Sequence, residues 1–230
     1  MKKNMIYPRN DETNHYPLFK ELIPEYTSKN TLLDYGGCSG NLLSFSNGDI
    51  NQNTYTCIDV LKEGIELGQK EFPHSKFIHY NKHNEMYNVN GEKTLPFPSI
   101  PQQDYIWSYS VFSHMILEDI IECILWMKSL SPKKIIASYL CNDGDEKANW
   151  TMNYFYNRRI NTFGSCVDFR SNRDEFFYIS DTQYGNQDCD VFIGVYNTDW
   201  LLNQFSKHKI KAQKIYTIKN DWPMPFLEIE

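Results

Sequence analysis

The order of its segments constrains this chain most, because short apolar runs of strand length alternate with stretches of helical period. Thr31 to Tyr35 is an apolar run that breaks at Gly36-Gly37-Cys38-Ser39-Gly40. Thr54 to Val60 is β-branched and ends beside an acid, Leu61 to Phe72 reads as a helix stopped by Pro73, and Lys76 to Tyr80 is a third strand. Asn84 to Gln103 holds Gly91, Pro96, Pro98 and Pro101 and reads as a long loop. Asp104 to Ser110 is the fourth strand. After Ser113, the positions Ile116, Leu117, Ile120, Ile121, Ile124 and Leu125 trace the apolar stripe of an amphipathic helix. Lys134 to Cys141 is nearly continuous and apolar, the pattern of a buried parallel strand. Asp143 to Asp190 is polar, aromatic and irregular. Asp190 to Tyr196 reads as a strand, Thr198 to Ser206 as a helix with Thr198 at its N-cap, and Lys211 to Lys219 as a final strand. Strands separated by helices imply right-handed crossovers and a doubly wound α/β sheet. Ligands of such sheets sit beyond the carboxyl ends of the strands, so chemistry is expected after Tyr35, Val60, Tyr80, Ser110 and Cys141.

A length of 230 residues suits one domain, 1–230, with 142–190 as an insertion or lid over the substrate region. The balance of 23 Lys+Arg against 29 Asp+Glu gives a net charge of −6, which disfavours nucleic acid as the main partner. The longest uncharged apolar-leaning run, Tyr105 to Leu117, contains three serines and a histidine and is too short to span a bilayer. Met1 to Asn10 has two lysines but no apolar stretch behind them, so no secretory signal is expected. The six cysteines, at 38, 57, 123, 141, 166 and 189, form no C-x-x-C pair and read as reduced thiols of a cytoplasmic protein.

The strongest chemical signal follows the first strand. Glycines there let the backbone turn sharply and approach a ligand. A dinucleotide fingerprint needs G-x-G-x-x-G, but counting from Gly36 puts Cys38 and Asn41 where the later glycines belong. The arrangement that fits is an acid two residues before the first glycine, D-x-G-x-x-x-G. Asp59 then ends the second strand, where nucleoside-binding α/β folds place a carboxylate for the ribose hydroxyls. Asp104-Tyr105-Ile106-Trp107-Ser108-Tyr109-Ser110-Val111-Phe112-Ser113-His114 follows on the fourth strand.

Together with Phe77 to Asn81 and the Tyr87-Asn88 and Gly91 pattern behind it, these segments resemble the motifs of class I S-adenosylmethionine-dependent methyltransferases of a small bacterial type. The resemblance covers Leu32 to about Cys141. It implies a mostly parallel seven-stranded sheet with helices on both faces and an antiparallel last strand. It also implies S-adenosylmethionine as cofactor and S-adenosylhomocysteine as product. Asp34, Gly36, Gly37, Cys38 and Gly40 would hold the amino-acid end of the cofactor and Asp59 its ribose. Val60 and Leu61 would pack on the adenine, Asn81 would bond near its amino group, and Ser108 would lie close to the methionine moiety. Cys38 stands where a glycine is usual; because a Cβ favours negative φ, a shifted turn is expected there.

His114 is the candidate catalytic residue, a general base for a hydroxyl as it is methylated; the bland alternative is that it only starts a helix. His79 and His83 are spaced four apart but lack the helix of a metal motif, so they read as hydrogen-bonding histidines and no metal is expected. Asp143 and Asp145 read as a solvated loop. Tyr109, Tyr139, Asp143, Trp150, Tyr154, Arg158 and Arg159 are candidates for the substrate side. The Asp104-to-Trp107 segment lacks the N-P-P-Y type of tetrapeptide used by adenine-modifying enzymes. The expected acceptor is therefore a small polar metabolite or a sugar precursor of the envelope, with O-methylation by in-line transfer. A protein methyltransferase and a catalytically inactive cofactor-binding protein are the alternatives, and the oligomeric state stays open.

Overall fold

The computed structural model describes residues 14–84, 87–141, 143, 168–172, 176–180, 193–217 and 224–230. Its strands are β1 (Leu32–Tyr35), β2 (Tyr55–Asp59), β3 (Lys76–His79), β4 (Tyr105–Ser108), β5 (Lys134–Ser138), β6 (Asp168–Asn172), β7 (Phe176–Ser180), β8 (Ile193–Tyr196), β9 (Ala212–Ile215) and β10 (Phe226–Ile229). The helices are α1 (Tyr16–Leu22), α2 (Asn41–Phe45), α3 (Lys62–Glu71), α4 (Leu117–Ser129) and α5 (Thr198–Lys207). Seven strands form one sheet in the order β3-β2-β1-β4-β5-β10-β9. β1 pairs in parallel with β2 and β4, β2 with β3, and the last strand, β10, runs antiparallel to β5 and β9. This is the mostly parallel α/β sheet with an antiparallel last strand that the sequence leads one to expect.

The main sheet recruits its outer strands differently from the reading of the sequence. Ile193–Tyr196 does not enter it; β8 pairs instead with β7, which pairs with β6, in a separate three-stranded antiparallel sheet. Two strands thus lie within the stretch read as irregular. The vacant place beside β5 is taken by Phe226–Ile229, where Phe226, Leu227 and Ile229 are buried. Prolines at 223 and 225 directly before it, unable to donate to a ladder, mask a run of only four residues.

The chain divides into two compact units. The first holds the described residues up to Tyr109 together with Leu130–Lys134. Its core includes Leu32, Leu33, Cys57, Ile58, Ile106 and Trp107, all without solvent exposure. Asp104 fastens the start of β4: its carboxylate accepts from the Thr31 N–H at 2.9 Å and pairs with Lys133 at 2.7 Å. The Lys133 side-chain bond and the Thr31 N–H hold its pKa down to about 2.

The second unit holds Ser110–Ser129 and the described residues from Ile135 onward. α4 buries Ile120, Ile121, Cys123, Ile124 and Met127, whereas Ile116 and Leu125 of the expected stripe are exposed. α5 is capped by Asn197, whose side chain accepts from the Trp200 N–H at 3.0 Å, and not by Thr198. Among the described residues Cys38, Cys57, Cys123 and Cys141 are free thiols, and no helix is long and apolar enough to cross a membrane.

Candidate functional site

The site of the first unit grows from the turn between β1 and α2. Gly36 has φ +79°, Cys38 φ +52° and Gly40 φ +79°. The Gly36 N–H donates to Ile58 O at 2.7 Å, which ties the turn to β2. Cys38 therefore does not shift the turn away from a left-handed conformation; it adopts that conformation and bears the strain a Cβ brings there. Its thiol fits because residue 64 on α3 is glycine, where an added Cβ would stand 2.8 Å from Cys38 Sγ. Gly37 is needed for space instead. A Cβ there would stand 2.4 Å from Asp34 Oδ2.

Asp34 lies beneath the turn, 1% exposed, and accepts the Tyr55 hydroxyl at 2.5 Å. Burial pushes its pKa up to about 7; the Tyr55 bond opposes this and the charge of Asp59 adds to it. Asp59 closes the site from β2. One carboxylate oxygen accepts from the Cys38 N–H at 2.8 Å and the other from the Leu61 N–H at 2.7 Å. Burial raises its pKa against the pull of the Leu61, Cys38 and Val60 N–H groups. Each carboxylate oxygen carries two acceptor lone pairs, so these contacts orient Asp59 and leave it acceptor capacity for a diol.

Val60 and Leu61 are half-buried beside Asp59. His79 Nε2 stands 3.2 Å from Val60 O, and His83 Nδ1 stands 3.1 Å from Val89 O. Asn81 follows β3, where its side-chain oxygen accepts from Asn88 Nδ2 at 3.1 Å. Among the described residues no group of three or more His, Cys, Asp or Glu side chains could hold a metal.

Ser108 ends β4 fully buried, and its hydroxyl has no hydrogen-bond partner among the described residues. Tyr109 follows, stacked on His15 with ring centroids 4.5 Å apart. His15 was not singled out by the sequence, since it belongs to no motif and lies far from β4 along the chain.

In the second unit His114 ends a one-turn 3-10 helix, Phe112–His114, and is half-exposed. Tyr139 is 1% exposed, and its hydroxyl lies 2.6 Å from Thr198 Oγ1. Asp143 accepts from the Thr198 N–H at 2.7 Å and from its hydroxyl at 2.5 Å, and forms an ion pair with Lys214. The Asp143 carboxylate is thus anchored and does not belong to a solvated loop. Trp150, Tyr154, Arg158 and Arg159 lie outside the described residues, as does Asp145.

No family model matches the chain, and no curated protein matches it. Solved structures do. A glycopeptide N-methyltransferase complexed with S-adenosylmethionine is similar over 100% of this chain and 98% of its own, with TM-score 0.57 and 8% identity. The 1,6-didemethyltoxoflavin-N1-methyltransferase of Burkholderia thailandensis, with its substrate and S-adenosylhomocysteine bound, gives TM-score 0.55 at 8% identity over 95% of this chain and 76% of its own. The magnesium protoporphyrin IX methyltransferase of Synechocystis, with bound S-adenosylhomocysteine, gives TM-score 0.53 at 10% identity over 94% and 82%. The chain has the Rossmann-like fold of these class I methyltransferases.

Proposed function

We propose that the protein is an S-adenosylmethionine-dependent methyltransferase acting on a small polar metabolite or a sugar precursor, by transfer to oxygen. The observation that carries this reading is the clasp of Asp59 on the β1 turn. The carboxylate at the end of β2 binds the N–H of Cys38 in that turn and retains acceptor capacity. On this fold that is the place for a ribose diol. The cofactor fits the residues present: the positive φ angles of the turn bring backbone close to a ligand, and the buried Ser108 hydroxyl has no partner among the described residues. When bound, it supplies a sulfonium methyl group for in-line displacement, a step that neutralises charge and gains from positioning and exclusion of water.

In this reading Asp59 binds the ribose, Val60 and Leu61 line the adenine, and Asn81 bonds near its amino group. Asp34 holds the turn from below. For a hydroxyl acceptor, His114 is the base we assign. Small-molecule acceptors are supported by the toxoflavin and porphyrin enzymes sharing the fold, and by the acidic balance of the chain.

Calorimetric titration with S-adenosylhomocysteine tests the reading, with NAD as control. Binding of the first and not the second is expected. Asp59→Ala should weaken it by about 1.5–3 kcal/mol, because two charge-assisted hydrogen bonds are lost. An unchanged dissociation constant in a folded variant would remove Asp59 from the site.

A further inference from the structure

We infer that Tyr196 is a positioning residue for His114, its hydroxyl holding the backbone beside that imidazole through the carbonyl of Met115. This rests on the reading above, in which His114 is the base of the methyl transfer.

His114 closes the one-turn 3-10 helix Phe112–His114, in which its N–H donates to Val111 O at 2.8 Å. A turn of this length makes too few bonds of its own to fix a side chain that must meet a proton within hydrogen-bond reach. Its first two residues are anchored by burial, since Phe112 is without solvent exposure and Ser113 is 4% exposed. Beyond His114 the chain is extended at Met115, with φ −131° and ψ 148°, before α4 begins. There the anchor comes from another element. The Tyr196 hydroxyl donates to Met115 O at 2.7 Å.

Tyr196 is itself fixed at several points. It ends β8 without solvent exposure, and its N–H donates to Leu140 O at 3.0 Å. Its ring stacks on Trp200 of α5, with centroids 6.4 Å apart and planes 7° from parallel. The hydroxyl therefore projects from a rigid frame. Gly194, two residues earlier on β8, keeps the approach open. A Cβ there would stand 2.8 Å from the Tyr196 hydroxyl oxygen and 3.1 Å from Met115 O. Glycine inside a strand often marks the close approach of another backbone, and here that backbone is the one carrying the proposed base. β8 also pairs with β7, and β7 with β6, both within 142–190. One strand thus joins the stretch proposed to face substrate to the base.

A buried hydroxyl on a carbonyl can also do no more than satisfy two polar groups. The two roles differ in what the loss of the hydroxyl moves. Removal of an ordinary buried bond lowers stability alone; removal of this one frees His114.

The test is 13C-histidine spectroscopy on the full chain, with the His114 signal assigned by its loss in His114→Gln. Tyr196→Phe keeps the ring and removes only the donor. The His114 signal should shift or broaden while those of His74, His79 and His83 stay in place. Tyr139→Phe is the control, because it removes another buried hydroxyl of the same unit, the one bonded to Thr198. Both variants should lower Tm by about 2–4 °C, but only Tyr196→Phe should move His114. Calorimetry should show S-adenosylhomocysteine affinity within about twofold of native in Tyr196→Phe, since Asp59 and its turn are untouched. A His114 signal unmoved in the folded variant overturns the proposal, as does one that moves equally in Tyr139→Phe. A loss of S-adenosylhomocysteine affinity above about fivefold in Tyr196→Phe also overturns it, because the hydroxyl would then support the cofactor site and not the base. Should Tyr196→Phe fail to fold, Gly194→Ala decides, since its Cβ forces the hydroxyl and Met115 O to shift; an unmoved His114 signal there overturns the proposal. A native protein that does not bind S-adenosylhomocysteine sinks the methyltransferase reading and leaves the His114 comparison standing, which separates the two failures.

Discussion

Two polar clusters follow parallel strands in this protein, and they are built on opposite terms. In the first unit, the turn after β1 carries a cysteine at φ +52° above a buried acid raised to about 7, and the end of β4 carries a buried hydroxyl with no hydrogen-bond partner among the described residues. In the second unit, the cluster after β5 is closed. The Tyr139 hydroxyl donates to Thr198 Oγ1, Thr198 donates twice to Asp143, and Asp143 pairs with Lys214. Strain and unmet hydrogen bonds persist only where the surroundings enforce them or a ligand relieves them. In the function proposed above, the first cluster is the one that takes the ligand, and the second holds the fold. Residue type does not make this distinction. Partners do.

The largest effect expected from this contrast is on the closed cluster. Asp143→Ala leaves the Lys214 ammonium, mostly buried, without its counter-charge and strips Thr198 of both acceptor contacts. Loss of one partner of such a pair is expected to cost about 3–5 kcal/mol, read as a drop in denaturation midpoint at neutral pH. Asp59→Ala should do the reverse, weakening S-adenosylhomocysteine with a smaller stability change. If Asp143→Ala instead keeps its stability and loses ligand affinity, the assignment of the two clusters is inverted.

Next in size is a pH effect on Asp34. Its folded pKa of about 7 lies above the ordinary 3.8. Below about pH 4 the carboxyl is protonated whether folded or unfolded, and its contribution is fully present. As pH rises towards 7 the unfolded chain releases the proton while the folded one retains it, and stability falls. Asp34→Asn removes this slope, since an amide oxygen can still accept the Tyr55 hydroxyl. Urea unfolding at pH 5 and pH 8 should show the variant gaining about 2–3 kcal/mol on the native protein between them. Parallel pH profiles would show that the acid is solvated and not sealed under the turn.

The sequence carried the inner half of this molecule better than its edges. Gly36, Asp59 and the Asp104–Ser110 run sit at ends of short, strongly patterned strands, so the glycine turn after β1 and the acid ending β2 were legible, whereas the bond that joins Asp59 to the Cys38 N–H was not. β10 escaped because four residues behind prolines give too little period to register. β6 and β7 escaped because their stretch is polar and aromatic without clean alternation. His15 illustrates a deeper limit. Its hydrogen-bond partner is Trp107, 92 residues away, and nothing local in Asn14-His15-Tyr16 announces the contact. Tyr139 and Asp143 were legible as polar groups after a strand, but whether their atoms face substrate or Thr198 depends on a helix more than 50 residues on. Gly64 offered one missed clue: a glycine inside a helix invites the question of what packs against it.

That glycine sets up the smallest effect. Cys38 pairs an unfavourable backbone conformation with a thiol seated against Gly64, so its replacement divides the two contributions. Cys38→Ala keeps a Cβ at φ +52° and removes the sulfur, losing packing without relieving strain. Cys38→Gly removes both. A left-handed residue costs roughly 1 kcal/mol more with a Cβ than without. The glycine variant should therefore be more stable than the alanine variant by about 1 kcal/mol, even though it has fewer atoms to bury. Against the native protein the gain is partly offset by the lost thiol contact. The clasp of Asp59 on the backbone N–H of residue 38 needs no side chain there, so S-adenosylhomocysteine affinity should stay within about threefold in the glycine variant. Alanine more stable than glycine would mean that residue 38 does not hold a left-handed conformation in solution, and the turn would then carry no left-handed strain at all, since Gly36 and Gly40 take positive φ without a Cβ to clash.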